Sequence, residues 1–110
     1  MNNYSKDDVI LMRYPFSDLS ASKVRPAVIV SSPHISSDYF IVPLTSKIRN
    51  LLPGEFLLKF WKKAGLNVPT AVKRGIYTIN QSLIVKTIGK LDASDSQQLQ
   101  NSIKQWFGFI

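Results

Sequence analysis

The helical period occurs once in this sequence, and only at its end. Before Leu91 the apolar residues come in short runs, rich in β-branched and aromatic side chains and closed by Pro, Gly, Ser or Asn. The strands expected from these runs cover residues 8–14, 24–31, 39–44, 55–61, 70–79 and 84–91. Their spacing is that of hairpins, too short for helical crossovers, so neighbouring strands pair antiparallel. Pro26 has no N–H for a ladder and is expected at the first residue of its strand. Pro43 interrupts an otherwise continuous apolar run and suggests an edge or a bulge. Gly75 suggests a bend in the strand over 70–79, and Asn80 caps a possible helical turn over 80–83.

After Leu91 the period changes. Leu99, Ile103, Trp106 and Phe107 fall at i, i+4, i+7 and i+8, one face of a helix. Two pairs could start it, Asp92 with Asp95 or Ser94 with Gln97, and Gly108 ends it. The expected fold is mainly β with a C-terminal α-helix: a strongly bent antiparallel sheet or small barrel. At 110 residues it makes one domain.

Composition narrows the chemistry. The chain has no cysteine, so it has neither disulfides nor thiolate chemistry, which fits a reducing cytoplasm. Its polar N-terminus is not a signal peptide, and no apolar run is long enough to span a membrane. His34, the one histidine, falls in a turn and suits a solvated residue better than a catalyst. The seven acids are scattered, with no pair at two-metal spacing, and there is no Gly-rich phosphate loop. No cofactor is expected.

What remains is cations and hydroxyls. The formal net charge is +7, and between Glu55 and Asp92 there is no acid, while Lys59, Lys62, Lys63, Lys73, Arg74, Lys86 and Lys90 all lie there. Such a one-sign segment attracts polyanions. Arg25 stands where a loop becomes strand. Its guanidinium stays charged at any physiological pH and fits phosphate oxygens two at a time. If strands two and three form a hairpin, the start of one lies beside the end of the other. Arg25 then meets Thr45 and Ser46 at one rim, with Lys47 and Arg49 in the basic loop beyond. A guanidinium with hydroxyl donors would hold a phosphodiester and stabilise the added charge of a pentacoordinate phosphorane. RNA brings its own nucleophile, the 2′-OH. Thr45 and Ser46 equally suit plain loop capping.

Several of these residues fit a known pattern. Lys23-Val24-Arg25-Pro26-Ala27-Val28-Ile29-Val30-Ser31, then Val42-Pro43-Leu44-Thr45-Ser46, then Thr87-Ile88-Gly89-Lys90-Leu91 before a terminal helix, resemble the MazF/PemK family of toxins from bacterial toxin–antitoxin systems. Asp8-Val9-Ile10-Leu11 is similar to that family's opening strand. The resemblance implies an SH3-like barrel forming a two-fold dimer. It implies a metal-independent endoribonuclease of single-stranded mRNA, neutralised by a cognate acidic antitoxin. It makes Arg25 the catalytic arginine, serving in proton transfer and in holding the phosphate, and Thr45 the motif threonine that orients or stabilises the scissile phosphate, with Ser46 beside it. The loop from Phe16 to Lys23 matches the one bordering the family's RNA site.

The pattern breaks at Arg74-Gly75, where many relatives carry an Asp-Gln or Asp-Lys pair, and at Val72, where some carry arginine. Positions 72 and 74 share a strand face, so Arg74 is expected to supply a phosphate contact in place of that arginine, with Lys73 adding charge. Two other functions remain open. One is a CcdB-like gyrase poison, for which the Trp106-Phe107-Gly108-Phe109-Ile110 ending speaks. The other is a non-catalytic nucleic-acid-binding barrel.

Overall fold

The structure is a computed structural model, and it describes residues 4–14 and 23–109. Among these, seven strands form one sheet: β1 (Asp8–Arg13), β2 (Val24–Ile29), β3 (Asp38–Thr45), β4 (Phe56–Leu57), β5 (Ala71–Val72), β6 (Tyr77–Asn80) and β7 (Ile84–Lys90). The order across the sheet is β4-β5-β3-β2-β1-β7, with β6 also on β3, and every pairing is antiparallel. One helix follows, α1 (Ala93–Phe107). The expected mainly-β fold with a terminal helix is what forms. Its sheet ends at β4 and β7 and is not closed into a barrel by hydrogen bonds.

Side-chain alternation loads both faces of the sheet. Val9, Val28, Val42, Leu44, Val72 and Phe56 lie opposite one another in register and share one face. Leu99, Ile103 and Trp106 of α1 pack on that face. The residues between them, including Ile10, Met12, Ala27, Ile29, Tyr39, Ile41 and Ile79, form a second buried cluster on the other face. A sheet with apolar residues on both faces is why the strand over 39–44 has no clean polar alternation.

Tertiary contacts correct several local expectations. Of the run 55–61 only two residues stay in the sheet. The chain then turns because the buried Asp95 carboxylate accepts the N–H groups of Lys59 and Phe60, both at 3.0 Å. Asp95 therefore holds a distant turn, and Asp92 alone caps the helix, accepting from the Ser94 N–H. The strand over 70–79 splits into β5 and β6, with Gly75 at φ +147° between them. Pro26 is the third residue of β2, not the first; it pairs with β1 before the β3 ladder begins. Pro43 lies in a central strand, neither at an edge nor marked by a break in its β2 register. Its carbonyl points to the β5 side and accepts the Lys73 N–H, so the missing Pro43 N–H leaves that pair with one hydrogen bond instead of two. Asn80 caps a 3-10 turn over Gln81–Leu83, and Gly108 closes α1 in the left-handed region, both as expected. Phe107 leaves the helix's apolar face, stays more than half exposed and stacks on Phe109.

Candidate active site

The β2–β3 ladder runs from Ile29–Ile41 to Ala27–Pro43 and stops. Beyond it β2 continues only with β1, and β3 continues with β5. Arg25 and Thr45 sit two residues past the last rung, on the face that carries Ala27 and Ile41. The hairpin thus brings them to one rim, as its connectivity predicts. Lys73 joins them: its N–H donates to the Pro43 carbonyl at 2.9 Å, so it continues the register in which Ala71 faces Thr45.

These residues line one groove of about 400 Å³. Arg25, Thr45, Ser46, Lys47 and Lys73 contribute its polar lining, and Leu66 and Val68 contribute an apolar wall. No carboxylate and no imidazole lines it among the described residues. The three ion pairs of the described chain, Lys6–Asp7, Lys63–Asp92 and Lys90–Asp8, use none of the groove's cations. The groove's charge is therefore not cancelled locally. The basic segment as a whole is divided: Lys63 and Lys90 are paired with acids, while Lys59 and Lys62 lie over the Phe60 and Trp61 rings.

The turn after β3 is held by Thr45 itself, whose Oγ1 accepts the Lys47 N–H at 3.0 Å. That is the capping role the sequence allowed. It leaves the hydroxyl proton able to donate into the groove. The apolar wall is fixed from behind: Gly65 and Gly89 approach so closely that a Cβ on Gly65 would meet Ile88 O and one on Gly89 would meet Ala64 O.

Not every expected residue arrives here. Arg74 lines a separate apolar hollow beside α1, with Phe40, Ile76, Trp106 and Phe107. Its backbone N–H donates to Glu55 Oε2 at 2.8 Å. The shared strand face that linked it to position 72 leads to the helix side of the sheet, where Val72 is buried, so Arg74 is corrected out of the groove. Arg49 lies exposed in the following loop, and neither it nor Lys23 is among the described residues that line the groove; the Lys23 carbonyl accepts the Tyr14 N–H at 3.1 Å. Phe16 lies outside the described residues. His34 is exposed at the other end of the hairpin, its Nδ1 accepting from the Ser36 N–H.

The sequence reading missed Tyr14. It lines the groove beside Arg25, and its hydroxyl bonds Tyr77. Burial, first, and then the charge and hydrogen bond of Tyr77 push this phenol above its ordinary pKa, with the Arg25 guanidinium pulling it partly back. The parity of Ile10 and Met12 along β1, carried one step further to Tyr14, is the available signal.

The family profile of the PemK-like, MazF-like toxin of type II toxin–antitoxin systems matches residues 5–107. No curated protein matches the chain at a significant level. Among solved structures, MazF from Deinococcus radiodurans has a TM-score of 0.78 at 16% identity, covering 98% of this chain and 99% of that one. The toxin MazF-mt6 of Mycobacterium tuberculosis has 0.73 at 24% identity, with 92% and 96% covered. An endoribonuclease from a mycobacterial species, solved with its cognate antitoxin, has 0.75 at 15% identity, with 97% of each covered. At these identities the structures establish a common fold. Because the family match runs through nearly the whole chain, the protein belongs to the PemK-like, MazF-like toxins of type II toxin–antitoxin systems.

Proposed function

We propose that this toxin is an endoribonuclease that cuts single-stranded mRNA in the groove at the open end of the β2–β3 hairpin. The observation that carries the reading is the meeting of Arg25, Thr45, Ser46, Lys47 and Lys73 in one groove that no described carboxylate lines. Arg25 binds the non-bridging oxygens of the scissile phosphate and stays charged while the phosphorane forms. Thr45 donates its hydroxyl to the same group. Lys47 and Lys73 hold the flanking phosphates, and the Leu66–Val68 wall takes the apolar face of a sugar or base. The nucleophile is the substrate's own 2′-OH, so the products are a 2′,3′-cyclic phosphate and a 5′-hydroxyl.

The reaction runs without a metal or cofactor, because the nucleophile is the substrate's own 2′-OH and Arg25 offsets the developing charge. The toxin acts in the cytoplasm as a homodimer and is neutralised by an acidic antitoxin. Among the described residues no helix is long and apolar enough to cross a membrane.

The test is purified protein with a long single-stranded RNA in EDTA. Cleavage at a short recurring sequence, lost in Arg25→Ala, is the expected result. Salt-sensitive RNA binding without cleavage would leave a binding module, and intact RNA with stalled gyrase would make the chain a gyrase poison.

A further inference from the structure

We propose that Tyr14, held in place by Tyr77, is the proton donor to the leaving 5′-oxygen. The proposal rests on the ribonuclease reading. It starts from position. In the β1–β2 register Met12 faces Arg25 and Arg13 faces Val24, and the Tyr14 N–H bond to Lys23 O adds one more step. Tyr14 is therefore the diagonal neighbour of Arg25 on the same face, within reach of a shared ligand. Both side chains line the groove.

Tyr77 lies on β6 opposite Ile41, on that same face, and its hydroxyl bonds Tyr14. Its ring occupies the space beside Gly75. A Cβ at position 75 would stand 2.9 Å from ring atom Cε2 and 3.1 Å from the hydroxyl oxygen. The glycine that breaks the family's acidic pair thus makes room for the residue that positions Tyr14.

The groove needs a proton donor. Cleavage leaves a 5′-alkoxide, a poor leaving group unless protonated. The groups around Tyr14 that could act are Arg25 on β2, Tyr77 on β6, Lys47 after β3 and Lys73 after β5. A guanidinium holds its proton too tightly to give it up near neutral pH. The phenol keeps its proton through the same range and yields it more readily than Arg25. The steps balance. The 2′-oxygen attacks phosphorus and its proton passes to water. The P–O2′ bond forms and the P–O5′ bond breaks. The bond pair goes to O5′, which takes the Tyr14 proton. The phenolate then regains a proton from water.

The experiment uses the full chain and an RNA oligonucleotide built round a site that the wild type cuts. A second oligonucleotide carries sulfur in place of the 5′-bridging oxygen, so that a thiolate leaves and needs no proton. Tyr14→Phe is expected to slow cleavage of the all-oxygen RNA about 100-fold, while the sulfur substrate is cut at close to the wild-type rate. Tyr77→Phe is expected to give a smaller loss, rescued in the same way. Equal slowing of Tyr14→Phe on both substrates, no slowing on either, or rescue confined to Lys47→Ala or Lys73→Ala would overturn the proposal. If the wild type cuts no RNA, so that no such site is found, the ribonuclease reading itself is overturned, and the donor role with it. Circular dichroism of Tyr14→Phe separates a lost proton from a lost fold.

Discussion

Gly65 and Gly89 pass each other backbone to backbone, with no side chain between the turn after β4 and the end of β7. This contact anchors the segment that becomes the groove's apolar wall. A methyl group at Gly89 meets the Ala64 carbonyl, which belongs to the backbone and cannot rotate away. Gly89→Ala is expected to cost about 2–3 kcal/mol, read as a lower urea midpoint at constant m. Gly65→Ala meets Ile88 in the same way and adds the strain of φ +87°, so its loss is larger.

Arg25 is exposed and makes no ion pair among the described residues, so its replacement touches chemistry more than stability. Arg25→Ala is expected to lower the cleavage rate about 100-fold or more, with Tm unchanged. Arg25→Lys keeps the charge but loses the planar fork, and recovers only a small part of the rate. Single-turnover kinetics on a defined RNA measures both.

Lys73 and Arg74 are neighbours in sequence and serve different hollows. Lys73→Ala should weaken RNA binding across all sequences and reduce the slope of log affinity against log salt by about one. Arg74→Ala should leave both the slope and the cleavage rate within about twofold of wild type. Filter binding over a salt series tests the pair.

Asp95 is 2% exposed and accepts two backbone N–H groups from the turn after β4. Asp95→Ala leaves both donors without their acceptor and is expected to cost about 2–3 kcal/mol. Asp95→Asn keeps one acceptor and loses less. Thermal unfolding distinguishes the two.

Acid weakens the start of α1. The Lys63 hydrogen bond, first, and then those of Ser94 hold the Asp92 carboxyl well below the usual carboxylate range. A carboxyl lowered in the folded state stabilises the fold above its unfolded pKa of about 4, and that stability is lost as pH falls through the folded value. Lys63→Met should make Tm fall less steeply below pH 4, and added salt should mimic it because the pair is exposed.

The hairpin logic that put Arg25 beside Thr45 depends only on local connectivity, and those residues meet as expected. So do the helix and its caps at Asp92 and Gly108, which are set by residues near in sequence. What the sequence hid depends on distant partners. The run 55–61 looks like a strand until Asp95, 35 residues away from Phe60, takes its N–H. Arg74 looks like a groove residue until the split between β5 and β6 gives its side of the strand to α1. Tyr14 looked like a strand end, and its partner Tyr77 comes from β6.

The rungs of the β2–β3 ladder end at Ala27–Pro43, and the strands fork there. A phosphate gripped by Arg25 on one tine and Thr45 on the other would act as the next rung, joining strands that the chain itself leaves apart. Substrate should then behave as a structural tie, slowing amide exchange in the fork residues well before it is cut. By the same geometry, an inhibitor would gain more by bridging the two tines than by filling the groove.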